Sequence, residues 1–526
     1  MPKAIFPRER LPSAKSKLRP ELFFALVGAI GTDLDRVGDV LATSLSEMNY
    51  QCTTIRLSEL VHHYSRWKRL PEAPFDKRID THMTAGNQLR EALRNGGAMA
   101  LLAILEIQNI RRQHYGVQVI PPKLGGKELD KTLRLSRILP IPQRAYILRS
   151  LKHTDEVRLL RRVYGPSFHL VGAYSPREIR LQNLATKIAE SRNLTRPEKV
   201  RDKAEWLNTR DEAEEEKEYG QNLRETYPMS DVFVDASQPT ELEDSLRRFV
   251  ELVFACGIHT PNKDEYAMFH AQAAAFRSAD LSRQVGASIA TSEGNIVSVG
   301  CNEVPKFGGG QYWSDDAKDN RDYRLGYSVS DKMRKSVLAD TVISLAKARV
   351  LRPRSGLSIE AIVESVLPRM KDSQVMDLIE FGRAVHAEMA ALLSAAHSGV
   401  SVNGCFLYST TFPCQDCARH IVDAGVRKVA YIEPYPKSRT AELHPDSIQV
   451  DNPGHGSGHV DFVPFVGVAP RKYMQLFSML KRKNSDGSVF VRSKVDAMPR
   501  HFRPYSSYVA EEFTELYEFS TVSKSL

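Results

Sequence analysis

Metal-type donors at two separated places in the sequence limit how this chain can fold. His386-Ala387-Glu388 is answered by Pro413-Cys414-Gln415-Asp416-Cys417. His386, Cys414 and Cys417 are ligands of the kind zinc takes. Three of them leave a fourth tetrahedral position open, which marks a catalytic rather than a structural zinc. Glu388 stands two residues past the histidine, close enough to reach a zinc-bound water without binding the metal. The apolar run Met389-Ala390-Ala391-Leu392-Leu393 predicts a helix with His386 and Glu388 in its first turn. Cys405-Phe406-Leu407-Tyr408-Ser409 predicts a strand, and Ala418-Arg419-His420-Ile421-Val422 a second helix opened by the Cys-x-x-Cys. Both ligand groups then stand at helix N-termini, where the dipole favours thiolate and hydroxide. The competing assignment is a small structural zinc knot. Spacing, order, the intervening strand and the glutamate together favour a catalytic site. No other Cys/His cluster stands out, so one zinc per chain is expected.

The 526 residues are too many for one ordinary domain. Glu21 to Ile30, Gln51 to Leu57, Arg144 to Leu151, Ser167 to Tyr174 and Asp231 to Ala236 are short β-rich runs separated by helical patterns. Such alternation predicts a parallel sheet covered by helices on both faces. Pro239 to Cys256 predicts a helix closing this first domain, and Gly257 to Lys263 a boundary. A helix over Tyr266 to Asp280 and a hairpin, Ala287 to Ala290 and Ile296 to Gly300, follow. The expected division is a basic tail at 1–20, a first domain at 21–258, a second at 259–500 with an insertion about 306–380, and a C-terminal tail at 501–526. Six cysteines argue against a disulfide framework and for reducing cytoplasm. No run reaches the roughly 18 apolar residues of a membrane helix, and no secretory signal opens the chain. The net charge of +9 suits anionic nucleotides and nucleic acids equally and excludes neither.

A glycine turn, Gly28-Ala29-Ile30-Gly31-Thr32-Asp33, follows the first strand, where such folds place a phosphate. The first half thereby resembles the P-loop kinase fold. Asp33, Leu34 and Asp35 stand where the last glycine, the lysine and the serine of the loop belong, so phosphoryl transfer from ATP is not expected. Gly28 and Gly31 are candidates either for a degenerate nucleotide or effector site or for packing alone. The charged stretch Glu178 to Tyr227 is either a solvated helix face or, by the same resemblance, a lid bearing Arg192 and Arg210.

The second half resembles the deoxycytidylate (dCMP) deaminase family over about residues 266 to 435. The motifs are Arg277-Ser278, Ser282-Arg283-Gln284-Val285-Gly286-Ala287, Gly300-Cys301-Asn302-Glu303-Val304-Pro305, His386-Ala387-Glu388, Tyr408-Ser409-Thr410, Pro413-Cys414, Cys417-Ala418 and Ile421-Val422-Asp423-Ala424-Gly425 with Tyr431. The zinc motif itself is the signature of nucleobase deaminases. The resemblance implies a C-terminal cytidine-deaminase-like α/β/α sandwich beside the N-terminal kinase-like sheet. Glu388 would carry protons, Asn302 would bond the deoxyribose 3′-hydroxyl, and Arg283 would meet the phosphate. About eighty residues separate Asn302 from His386, and the family's allosteric control makes this insertion a candidate regulatory or subunit-contact segment. The fused arrangement is similar to bacterial antiviral deoxycytidine-nucleotide deaminases. That similarity implies free dCMP or dCTP as substrate, a homo-oligomer, pool depletion during phage infection, and restraint by a nucleotide effector or a small inhibitory RNA. A polynucleotide cytidine or adenosine deaminase, and a nucleotide sensor without turnover, are the alternatives.

Overall fold

The computed structural model describes residues 19–64, 66–117, 138–212, 214, 218–350, 358–370, 373, 381–435, 437–451, 458–479, 481–495 and 497–522. The chain divides into two compact units, one made of Met1–Thr260 with Val466–Leu526, the other of Pro261–Phe465. Helices of eight or more residues are numbered below.

The first unit is built on β1 (Leu22–Gly28), whose seven residues are all buried. A continuous apolar run of that kind belongs in the middle of a sheet covered on both faces. Side chains alternate along a strand. Phe23, Ala25 and Val27 enter one core, and Leu22, Phe24 and Leu26 the other. Parallel neighbours β3 (Arg144–Arg149) and β4 (Phe168–Tyr174) flank β1, with β2 (Gln51–Arg56) beyond β3 and β5 (Val232–Asp235) beyond β4. The helices are α1 (Leu34–Ser46), α2 (Phe75–Leu93), α3 (Ala98–His114), α4 (Thr154–Tyr164), α5 (Arg177–Ser191), α6 (Arg201–Glu212) and α7 (Pro239–Val253).

In the second unit α8 (Lys263–Ala275) precedes a hairpin of β6 (Gly286–Ala290) and β7 (Ile296–Cys301). Next come α9 (Val329–Lys347), α10 (Ile359–Val366), α11 (Ala387–His397), β8 (Phe406–Thr411), α12 (Gln415–Asp423), β9 (Lys428–Glu433), β10 (Ile448–Val450) and β11 (Val460–Pro464). The sheet runs β10-β11-β9-β8-β6-β7; β8, β9, β11 and β10 are parallel, and β6 is antiparallel to both neighbours. The expected α/β class holds for both units.

The expected end of the second domain at residue 500 and the tail after it need correction. After β11 the chain returns to the first unit. There β12 (Gly467–Val468) adds antiparallel to β5. α13 (Pro470–Phe477) and α14 (Tyr505–Val522) follow it. Leu476, Tyr508 and Leu516 are buried in the first unit's cores. The apolar side chains of this return need the first unit's cores, so the segment is structural. Among the described residues no helix is long and apolar enough to cross a membrane.

The long insertion is closed at its neck. Glu303 and Val385 form an antiparallel bridge, with N–O distances of 3.2 and 3.0 Å. Within it, α9 and α10 pack through Leu338, Val342 and Val363.

Candidate active site

The neck delivers the chain directly into the site, because His386 follows Val385. His386 is the N-cap of α11 in an extended conformation, and Cys414 holds the same place on α12. Glu388 and Cys417 lie in the first turns of these helices. A close approach fixes α11 on the sheet. A Cβ at Gly300 in β7 would collide with the backbone of Ala387, Ala390 and Ala391, so only glycine admits the helix this near.

His386 Nδ1 lies 3.3 Å from Cys414 Sγ and 3.5 Å from Cys417 Sγ, and the three donor atoms all fall within 4.8 Å of one another. A tetrahedral zinc with bonds of about 2.0 Å to nitrogen and 2.3 Å to sulfur would set N···S near roughly 3.5 Å. The donor set therefore fits zinc in both identity and spacing. A hydrogen bond from the Cys417 thiol, then one from the His386 imidazole, holds the Cys414 thiol far down, at about 4. The thiolate is the form that binds metal. Bonding to Cys414 raises His386 to about 9. Glu388 is buried, its carboxyl raised by desolvation, beside the Cys417 thiol.

Asn302 is buried at the end of β7. Its Oδ1 accepts the Val285 N–H at 2.7 Å and its Nδ2 donates to the Arg283 carbonyl at 2.8 Å. It shapes the 283–285 loop, and one N–H and one lone pair are left over. Arg283 is half exposed, 3.7 Å from Glu433 and over the Tyr435 ring at 5.8 Å.

Three further residues, Ser438, Thr440 and Glu303, were given no role from the sequence. The Ser438 and Thr440 hydroxyls donate to the Pro413 carbonyl at 2.9 and 3.3 Å, fixing the turn before Cys414. Glu303, fully buried, accepts the Ala279 N–H at 2.8 Å and stands 3.5 Å from Arg321. It joins the 278–283 segment to the neck.

Gly28 and Gly31 lie in the other unit. Gly31 has φ +90°, and a Cβ there would collide with the Arg180 backbone. The buried Asp211 carboxylate accepts the Ile30 N–H at 2.8 Å and the Lys152 ammonium at 2.7 Å, and Lys152 also bonds the Gly28 carbonyl. The loop is thus served by an internal anion. Arg192 is bidentate to Asp76, at 2.9 and 2.7 Å, and Arg210 pairs with Asp80 and Glu214.

Residues 261–433 match the family model of the cytidine and deoxycytidylate deaminase zinc-binding region. That match defines the class, a zinc-binding deaminase region. The deoxycytidylate deaminase of Enterobacteria phage T2 is 44% identical over 55 residues, 10% of this chain and 29% of that protein. The probable deoxycytidylate deaminase of Drosophila melanogaster is 28% identical over 171 residues, 32% and 58% of the two chains. That of Homo sapiens is 25% identical over 168 residues, 32% and 63%. The crystal structure of dCMP deaminase from cyanophage S-TIM5 in apo form aligns with 39% of this chain and 100% of that one, at 18% identity and a TM-score of 0.21. The matches span 29% of the phage T2 relative and under two thirds of the two animal relatives. Residues 261–433 are thus similar to the zinc-binding region of cytidine and deoxycytidylate deaminases.

Proposed function

We propose that this chain hydrolyses the C4 amino group of free deoxycytidine nucleotides, dCMP or dCTP, giving the deoxyuridine nucleotide and ammonia. The observation that carries this reading is the buried Glu388 carboxyl beside three converging zinc donors. Zinc, held by His386, Cys414 and Cys417, supplies the Lewis acidity that makes water nucleophilic near neutral pH. Glu388 accepts a proton from the attacking water at its carboxylate oxygen, delivers it to ring N3, and serves again as the amino group departs as ammonia. Asn302 offers its remaining N–H to the 3′-hydroxyl, and Arg283 its exposed guanidinium to the phosphate.

The purified chain is to be incubated with dCMP, dCTP, single-stranded DNA and tRNA, alongside a Glu388→Ala control, and the products read by mass. Loss of the amino group from a free nucleotide, absent in the control, supports the reading. Deamination of a polynucleotide with both free nucleotides inert overturns it.

The first unit's parallel order β2-β3-β1-β4-β5 supports a kinase-like ancestry. Asp33, Leu34 and Asp35, together with an anion position already held by Asp211, support a unit that regulates rather than phosphorylates. Depletion of deoxycytidine nucleotides in phage-infected cells, under control of a nucleotide or small RNA, is the biological role that accords with this arrangement. Nucleotide pools from infected cells making the wild type or Glu388→Ala test it.

A further inference from the structure

A second group of metal-type donors lies in the first unit, far in sequence from the deaminase motifs. His62 sits in the single 3-10 turn Val61–His63, Glu72 in the segment entering α2, and His82 within α2. His62 Nε2 and His82 Nε2 are 2.9 Å apart. Glu72 Oε1 lies 3.2 Å from the first and 3.8 Å from the second.

The other ring nitrogens decide what can occupy that space. His62 Nδ1 is 3.1 Å from the Trp67 carbonyl, and His82 Nδ1 is 2.6 Å from the Arg78 carbonyl. A carbonyl oxygen only accepts, so each Nδ1 carries the hydrogen, and each neutral imidazole presents an Nε2 lone pair. Two lone pairs and a carboxylate oxygen therefore converge with no donor among them. Something positive must lie between them, a shared proton or a metal ion.

Three features favour the metal. A proton joins two acceptors, whereas here a third is aimed at the same point. Nδ1–H bonded to a backbone carbonyl is how ligating histidines are fixed with Nε2 toward a metal. Bonds of about 2.0 Å in a tetrahedral zinc site put its donors roughly 3.3 Å apart, near the observed separations. The second carboxylate oxygen of Glu72 accepts Arg78 Nε at 2.7 Å, which orients Oε1 toward the histidines. Glu59, 3.9 Å from the Arg78 guanidinium, offsets part of that cation's charge. Glu72 is mostly exposed, so the site opens to solvent and leaves a ligand position free.

We propose that His62, Glu72 and His82 form a second zinc site, which ties the 3-10 turn Val61–His63 and Glu72 to α2. Imidazole and carboxylate donors are borderline-to-hard ligands that zinc accepts readily. The donors stand ten residues apart in sequence, a spacing that matches no familiar metal motif, which is why the sequence alone predicts one zinc per chain.

Metal counting on the full-length protein tests this without reference to turnover. Protein stripped by chelator is titrated with zinc, and bound zinc is measured after gel filtration. Two equivalents are expected for the wild type, and one each for Cys414→Ala and for His62→Ala/His82→Ala. Cobalt substitution separates the sites: the cysteine site gives intense thiolate-to-metal absorption, and the histidine site only weak d–d bands, which vanish in the double variant. Glu72→Ala changes a surface side chain and leaves the core intact. It is expected to weaken the second equivalent by at least the roughly 10–100-fold that loss of an outer partner costs. A wild type that binds one equivalent, or a double-histidine variant that keeps two, overturns the proposal. Either result leaves the deaminase site untouched, since that site is counted through Cys414→Ala.

Discussion

Glu388 and His169 are both buried, and burial favours the neutral form of each. At Glu388 the same raising makes the ionised carboxylate a stronger base toward water, the role proposed for it. Glu388→Gln should keep its zinc, measured by metal analysis, while turnover falls by at least about 10²–10⁴-fold, the usual contribution of a general acid–base group. Activity within about tenfold of wild type would remove Glu388 from the proton path. His169, in β4 between Phe24 and Phe249, has no hydrogen-bond partner at either nitrogen among the described residues. Desolvation, helped by Lys472, pushes its pKa down to about 3. The unfolded imidazole titrates near 6.5, so below that pH the unfolded chain binds a proton that the folded chain refuses. Stability therefore falls as pH drops from about 6.5 toward 3, by up to about 1.4 kcal/mol per pH unit. His169→Leu should lose less of its melting temperature between pH 7 and pH 5 than wild type; equal losses would contradict this. The zinc donors were legible because their identity and spacing are chemical requirements. His169 was not, since nothing in β-rich SFHLVGAY distinguishes a dry histidine from a half-exposed one.

At the scale of elements, the helices bearing His386 and Cys414 were readable from their apolar runs, and all five β-rich runs of the first half became strands. The contact that seats α11 was not readable. Gly300 is next to last in a hairpin strand, where a glycine could serve a turn, and only the backbone of Ala387 and Ala391 reveals its use. Gly300→Val should push α11 off β7, at the roughly 1–3 kcal/mol typical of overpacking, and carry His386 and Glu388 with it. Zinc affinity by chelator competition and thermal unfolding should both decline. A variant with unchanged affinity would show that α11 is placed by its other contacts. The insertion's neck was equally hidden, because its two bridging residues, Glu303 and Val385, are separated by the whole inserted segment.

At the scale of the molecule, the first unit is completed by residues far down the chain. Arg111, wholly buried, is bidentate to Glu21 beside β1 and to Glu512 on α14. The stripe Tyr508, Glu512, Leu516 has helical spacing, but a charge in its middle disguised it as a solvated tail. Glu512→Ala should cost the first unit about 3–5 kcal/mol, as loss of one partner of a buried pair does, and leave the cysteine-site zinc in place. Unfolding followed separately from zinc release checks both parts. A truncated chain beginning near Gly257 would strand Val468, Leu476, Tyr508 and Leu516 without their cores, and should aggregate where residues 261–465 alone stay soluble. The same discontinuity sets a timetable. Arg111 waits for a partner 401 positions later, which at about 5–20 residues per second is roughly 20–80 seconds of translation. Every ribosome therefore finishes residues 261–465 before the unit encoded first can close.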